Sequence, residues 1–188
     1  SLTLWLSKKM PMAQFVSYSC VQLAAGIVAA LAYSNMLGKT TTLGPKPGFH
    51  GGHAAAAEII YTFMLTFCVL NTACSTKHGG KDQFFGLAIA FCVVAGGYGG
   101  GAISGGCFNP AVALGVDASS SHLGFGWCLP YAIFEAIGAF VAACSYRCCR
   151  PDDFDRYWAP GRDYCVATKL LSEFLGTYIL VVTVGLNS

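Results

Sequence analysis

The sequence predicts an all-α integral membrane protein. Of its 188 residues, 55% are hydrophobic and 11% are charged, whereas a typical soluble domain has about 25% charged residues. Nearly uncharged runs, most of them about the length that crosses a hydrocarbon layer as a helix, recur along the whole chain. We therefore expect a multi-pass protein embedded in a lipid bilayer.

Five membrane spans are predicted, and each holds at most one charged residue. The runs are 12–33, 54–74, 84–97, 124–146 and 170–188. If the N-terminus is cytoplasmic, nine of the 11 Lys and Arg residues lie on the cytoplasmic side, and only Lys39 and Lys46 lie outside. This positive-inside bias supports the topology. The net charge of +2 reflects this topology and does not indicate a nucleic-acid partner.

A short helix that dips into the membrane is predicted at Asn109. Proline suits the first position of a helix and asparagine the capping position before it, so Asn109-Pro110-Ala111 indicates a helix start. The apolar segment that follows is too short to cross a bilayer, and a glycine-rich stretch, 96–101, precedes it. Such a half-helix points the positive end of its dipole at a solute path. We expect a pore or a vestibule there.

The chain also contains an internal repeat. Segments 58–69 and 173–184 both read Glu-x-x-x-Thr-x-x-Leu-x-x-x-Val, 115 positions apart. A second match pairs 28–33 with 141–146 at an offset of 113. Three spans lie within one repeat unit, so consecutive units enter the membrane from opposite sides. This predicts an inverted repeat, an arrangement that builds a central site from two antiparallel halves.

These features resemble the aquaporin (major intrinsic protein) family. The likeness rests on the span that begins with Glu58, on residues 103–111, on the span that begins with Glu173 and on residues 5–11. The resemblance implies an aquaporin-like inverted-repeat helical bundle with a re-entrant Asn-Pro-Ala half-helix. It also implies a homotetramer or a membrane complex.

The order of the elements departs from the family pattern. Residues 1–150 resemble a channel unit without its first two helices, 151–166 resemble a cytoplasmic connector, and 167–188 resemble a first helix placed after the sixth. Two explanations fit: the chain is a slice of a tandem array of channel units, or it is an incompletely recovered sequence that begins after the first half-helix.

The resemblance implies roles for the polar residues near the half-helix. The Asn109 amide would donate to a passing hydroxyl group. The Glu58 and Glu173 carboxyls would accept hydrogen bonds from backbone N–H groups of the half-helix loops, so that loop carbonyls turn toward the pore. For Glu135, the third carboxyl within a span, two interpretations stay open: it lines a cavity or it faces a partner.

The predicted selectivity filter differs from the family pattern. The family usually has an arginine immediately after the tripeptide, and this chain has Val112 there. The other filter positions hold Gly97, Gly106 and Cys107. The lost guanidinium and the two glycines imply a wider constriction with weaker electrostatic exclusion. We expect a passive path for water and small neutral solutes such as glycerol, ammonia or peroxide.

One alternative is a structural or accessory membrane subunit that has the aquaporin scaffold but an incomplete pore. An ion-coupled transporter is disfavoured, since the charges within the spans are three glutamates. The sequence has no metal-ligand spacing, nucleophile–base pair or phosphate-binding loop. We therefore predict no metal, no cofactor and no enzymatic activity. The cysteines within spans are expected to be packing residues.

Overall fold

The computed structural model describes residues 1–38, 40–75, 84–120, 126–154, 166–168, 170 and 174. Within these ranges the chain forms six α-helices and no strand: α1 (Leu2–Leu6), α2 (Met12–Leu37), α3 (Gly51–Val69), α4 (Phe85–Ser104), α5 (Pro110–Ser119) and α6 (Cys128–Cys149). Helix α3 continues into a π-helical turn at Leu70–Cys74, and a 3₁₀ turn at Pro151–Asp153 follows α6. The predicted all-α class is confirmed.

Four helical segments of the described chain are long and apolar enough to cross a membrane: Met12–Leu37, Gly51–Cys74, Phe85–Ser104 and Cys128–Cys149. They correspond to four of the five predicted spans. The fifth predicted span, 170–188, lies outside the described residues except for positions 170 and 174. Most of the predicted connector, 151–166, also lies outside them.

Helix α4 is longer than the sequence predicts. The predicted span ends at Gly97, whereas the helix continues through the glycine-rich stretch to Ser104. These glycines serve close packing. A Cβ atom at Gly96 would lie 2.8 Å from the ring of Phe108, and one at Gly100 would lie 3.0 Å from the ring of Tyr61. Gly96 and Gly100 therefore leave room on one face of the helix for these two aromatic rings.

Helix α3 is the centre of the bundle. It packs against α4 on one side and α6 on the other, and α5 packs against α2. The backbones approach closely at glycines: a Cβ atom at Gly138 would lie 2.5 Å from the carbonyl oxygen of Ile59, and one at Gly115 would lie 2.5 Å from that of Gly26. In the most apolar window of each helix, 39% of the residues are buried in α3 and only 6% in α2. Most of α2 is thus left uncovered by the other described parts of this chain.

An ion pair holds one end of the bundle together. The Nζ atom of Lys9, between α1 and α2, lies 2.9 Å from Oδ2 of Asp153. The hydroxyl groups of Tyr146 and Ser75 also donate to the carboxylate of Asp153. Because these residues come from α6 and from the end of the π-helical turn, the carboxylate fixes α1 against both elements.

Candidate functional site

Helix α5 is a half-helix with a capped start. Asn109 is the N-cap, and its Oδ1 atom accepts a hydrogen bond from the N–H of Ala111 at 3.0 Å. Pro110 occupies the first helical position. With 10 residues the helix is about 15 Å long, about half of the hydrocarbon thickness. Because the C-terminal end of the helix contacts the start of α6, its start at Asn109 lies inside the bilayer if α6 crosses it.

The Glu58 carboxyl holds the loop that leads to Asn109. This side chain is fully buried. Its Oε1 atom accepts from the N–H of Cys107 at 3.0 Å and from the hydroxyl of Ser104 at 2.7 Å, and its Oε2 atom accepts from the N–H of Phe108 at 2.7 Å. The hydroxyl of Tyr131 donates to the carbonyl of Ser104 at 2.7 Å. Helices α3, α4 and α6 thus all fix this loop.

Phe108 has an unusual backbone conformation just before the half-helix. Its φ of +52° lies in the left-handed region, which costs a non-glycine residue about 1–2 kcal/mol. The hydrogen bond to Glu58 and the burial of the ring, which is 4% exposed and packs 5.5 Å from the Tyr61 ring, offset this cost. The conformation turns the chain so that the next residue, Asn109, starts the helix.

A cavity of about 520 Å³ lies beside the start of the half-helix. Residues from α1, α2, α3, α4 and α6 form most of its walls, which are mainly apolar. Its polar side chains belong to Ser1, Thr3, Ser19, Gln22, Thr62, Thr66, Asn109 and Glu135. A mostly apolar cavity with a few polar groups and a helix N-terminus suits small solutes with hydrogen-bonding groups.

Glu135 lies in the wall of this cavity, on α6. It is 1% exposed and lines the same cavity as Asn109. Neither oxygen meets hydrogen-bond geometry with a partner in the described part of the chain. Of the two interpretations left open by the sequence, the structure places this residue at the cavity.

The predicted filter residues lie away from the cavity lining. Gly97 is exposed on α4, and a Cβ atom there would meet no atom within 4 Å. Val112 is 43% exposed on α5. Gly106, with a φ of +69°, and Cys107 belong to the loop that Glu58 holds. The other predicted carboxyl, Glu173, lies outside the described residues.

Asp117 is a structural carboxylate whose role the sequence did not reveal. It is 5% exposed at the end of α5, and its Oδ2 atom accepts from the N–H groups of Trp127 at 3.2 Å and Cys128 at 2.9 Å. These N–H groups open α6, so the carboxylate satisfies a helix N-terminus and complements its dipole. In the sequence, this role is indicated only by the position of one acidic residue at the end of an apolar segment. The described ranges contain no group of three or more His, Cys, Asp or Glu residues that could hold a metal.

Comparisons with known proteins agree with this architecture. The sequence model of the family described as Major intrinsic protein matches residues 1–146 and, in a second match, residues 90–186. The chain is 33% identical over 136 residues to a probable aquaporin TIP-type alpha of Phaseolus vulgaris, covering 70% of this chain and 52% of the relative. It is 30% identical over 141 residues to aquaporin NIP2-1 of Oryza sativa subsp. japonica, covering 75% of this chain and 44% of the relative.

The chain spans about half the length of these curated relatives. The first family match nevertheless covers well over half of the chain and includes the Glu58 carboxyl, the Asn109 half-helix and all four membrane-length helices up to Tyr146. This is an integral, multi-pass membrane protein, and the chain belongs to the major intrinsic protein family.

Proposed function

We propose that this chain forms part of a passive channel for water and small neutral solutes. The observation that supports the proposal most strongly is the half-helix that starts at the cavity, with its cap Asn109 in the wall and its loop bound to Glu58. The relatives are aquaporins by name, so a channel is favoured over an enzyme.

The geometry suits neutral solutes. Asn109 uses Oδ1 to cap the helix, so its amide nitrogen is left to donate to a solute oxygen. The positive end of the α5 dipole disfavours cations at the same place. The Glu58 carboxyl binds the N–H groups of Cys107 and Phe108, so the loop has carbonyl groups available as acceptors. A solute would regain there part of the hydrogen bonding that it loses on leaving water.

A wide filter is part of the proposal. Val112 takes the place of a filter arginine, and Gly97 and Gly106 add little bulk. Glycerol-sized solutes, ammonia and peroxide should therefore pass along with water. The predicted homotetramer, and the choice between a tandem array and an incompletely recovered sequence, stay predictions.

Swelling of vesicles tests the proposal. The full-length protein that contains this chain is reconstituted into liposomes, and light scattering follows water efflux and then glycerol entry. We expect both rates to exceed those of protein-free vesicles by several-fold. Water passage with complete rejection of glycerol would refute the wide filter. No increase for either solute would support the alternative, an accessory subunit with an incomplete pore.

A further inference from the structure

The connection between α2 and α3 is packed against the end of the half-helix. Leu43 is 3% exposed and shares a buried cluster with Ala54, Ala113 and Tyr131. The N–H of Lys46 donates to the carbonyl of Ile103, in the last turn of α4, at 2.9 Å. The segment is thus anchored to α3, α4, α5 and α6.

The Lys46 side chain extends from this segment over the loop that leads to Asn109. A Cβ atom on Gly105 would lie 3.4 Å from Cε and 3.6 Å from Nζ of Lys46. Gly105 ends α4 with a φ of +95° and directly precedes Gly106, a predicted filter residue. The ammonium group therefore lies against the first residue of the loop 105–108, which we call the filter loop.

The positive charge of Lys46 is not neutralised there. Its Nζ atom donates to the carbonyl of Thr42 at 3.2 Å, and no carboxylate within the described ranges forms an ion pair with it. Two acids near this region are already engaged, since Asp117 accepts from α6 backbone groups and Glu58 accepts from the filter loop. In the proposed channel, an uncompensated charge beside this loop acts strongly on ions that approach it.

We propose that Lys46 is a selectivity-determining residue that supplies the positive charge of the outer mouth, in place of the arginine position that Val112 occupies. This inference rests on the proposed channel. Lys46 repels cations by its charge and limits the width of the mouth by its four-carbon stem over Gly105. The charge comes from the α2–α3 connection and not from the half-helix itself.

Three substitutions separate the charge from the bulk. Lys46→Met keeps the stem and removes the charge, Lys46→Arg keeps the charge, and Lys46→Ala removes both. Lys8→Met is the control, since Lys8 is exposed at the opposite end of α2. Each full-length variant is reconstituted, and the vesicles are assayed for glycerol entry and for leak of a monovalent cation.

We expect Lys46→Met to raise the ratio of cation leak to glycerol entry by about tenfold. Lys46→Arg and Lys8→Met should keep the wild-type ratio. Lys46→Ala should show the same rise and also admit polyols larger than glycerol. If the wild-type protein passes glycerol and Lys46→Met leaves the ratio unchanged, the inference is overturned while the channel stands. If the wild-type protein passes neither water nor glycerol, the channel proposal and the selectivity role fail together.

A second measurement reports on the charge at the mouth without any flux. The Trp127 ring lies beside Gly44, two residues before Lys46. With every other tryptophan of the full-length protein replaced by phenylalanine, Trp5 and Trp158 among them, Trp127 fluorescence is quenched by iodide or by caesium. We expect Lys46→Met to lower the iodide-to-caesium quenching ratio by about twofold at low salt. An unchanged ratio would show that Lys46 does not charge the mouth and would overturn the inference.

Discussion

The two buried carboxyls in the membrane-length helices, Glu58 on α3 and Glu135 on α6, show two different uses of an acid. Both are at most 1% exposed. Glu58 accepts three hydrogen bonds from the loop before the half-helix. Glu135 lies in the cavity wall, and its oxygens have no hydrogen-bond partner in the described ranges. The first carboxyl thus holds the loop before the half-helix, whereas the second is buried in the cavity wall without such a role in the described ranges.

Of the two carboxyls, Glu58 should contribute more to stability, and its replacement should have the largest effect. Glu58→Ala leaves the buried N–H groups of Cys107 and Phe108 without an acceptor. Hydrogen bonds to charged groups contribute about 1.5–3 kcal/mol each, so we expect a loss of about 4 kcal/mol or more. Thermal unfolding in detergent measures the loss. Glu58→Gln keeps one acceptor oxygen and should lie between wild type and Glu58→Ala. A melting temperature of Glu58→Ala equal to that of wild type would refute the structural role.

Helix α2 holds the half-helix from the other side. A Cβ atom at Gly26 would overlap the carbonyl oxygen of Ala111, so Gly26→Ala must push the two helices apart, at a cost of about 1–3 kcal/mol. Gly97→Ala is the matched control, since a Cβ there meets nothing within 4 Å, and it should gain up to about 1 kcal/mol of helix propensity. Melting temperatures that shift equally in both variants would show that α2 and α5 do not pack this closely.

Asn109 both caps the half-helix and lines the cavity. Two variants distinguish its capping role from its role as an amide donor. Asn109→Ala loses the cap, which costs about 1 kcal/mol, together with the amide donors. Asn109→Asp keeps a capping oxygen and should retain stability. It replaces the amide donors with a carboxylate at the cavity, so glycerol entry should fall and cation leak should rise. Wild-type fluxes in Asn109→Asp would show that the amide does not contact the solute.

Glu135→Gln should have the smallest effect on stability, and it tests most directly the difference between Glu135 and Glu58. The substitution keeps the side-chain shape and breaks no hydrogen bond within the described chain, so we expect a change within about 0.5 kcal/mol. Glu135→Ala, which also removes volume from the packed wall, should cost more. A loss for Glu135→Gln as large as that for Glu58→Gln would mean that both carboxyls support the fold, and the contrast would disappear.

Local chemistry explains which parts of this architecture could be predicted from the sequence. The four described spans follow from runs without charge, and the helix start at Asn109 follows from the preferences of asparagine and proline for capping and first positions. The length of α4 does not follow from such rules. At Gly96 and Gly100 the rings of Phe108 and Tyr61 fill the space that side chains would occupy, and those contacts depend on tertiary structure.

The contacts around the site could not be predicted from the sequence either, because they too depend on tertiary structure. Lys46 is 59 positions before Gly105 in the sequence, and the packing of Leu43 and the hydrogen bond from Lys46 to Ile103 bring the two together. Asp117 accepts a hydrogen bond from the start of α6. Nothing in the sequence between the two helices predicts this contact. The place of Glu135 depends on how α6 lies on α3, which is set where Gly138 meets the backbone of Ile59.

Glycerol entry into vesicles, measured side by side for the full-length wild-type protein, for Glu58→Ala and for protein-free lipid, tests the central claim most directly. The half-helix that Glu58 holds at the cavity is predicted to conduct, so wild-type vesicles should swell several-fold faster than protein-free ones. Vesicles with Glu58→Ala should swell at the protein-free rate. Equal rates in all three preparations, or a wild-type rate in Glu58→Ala, would contradict it.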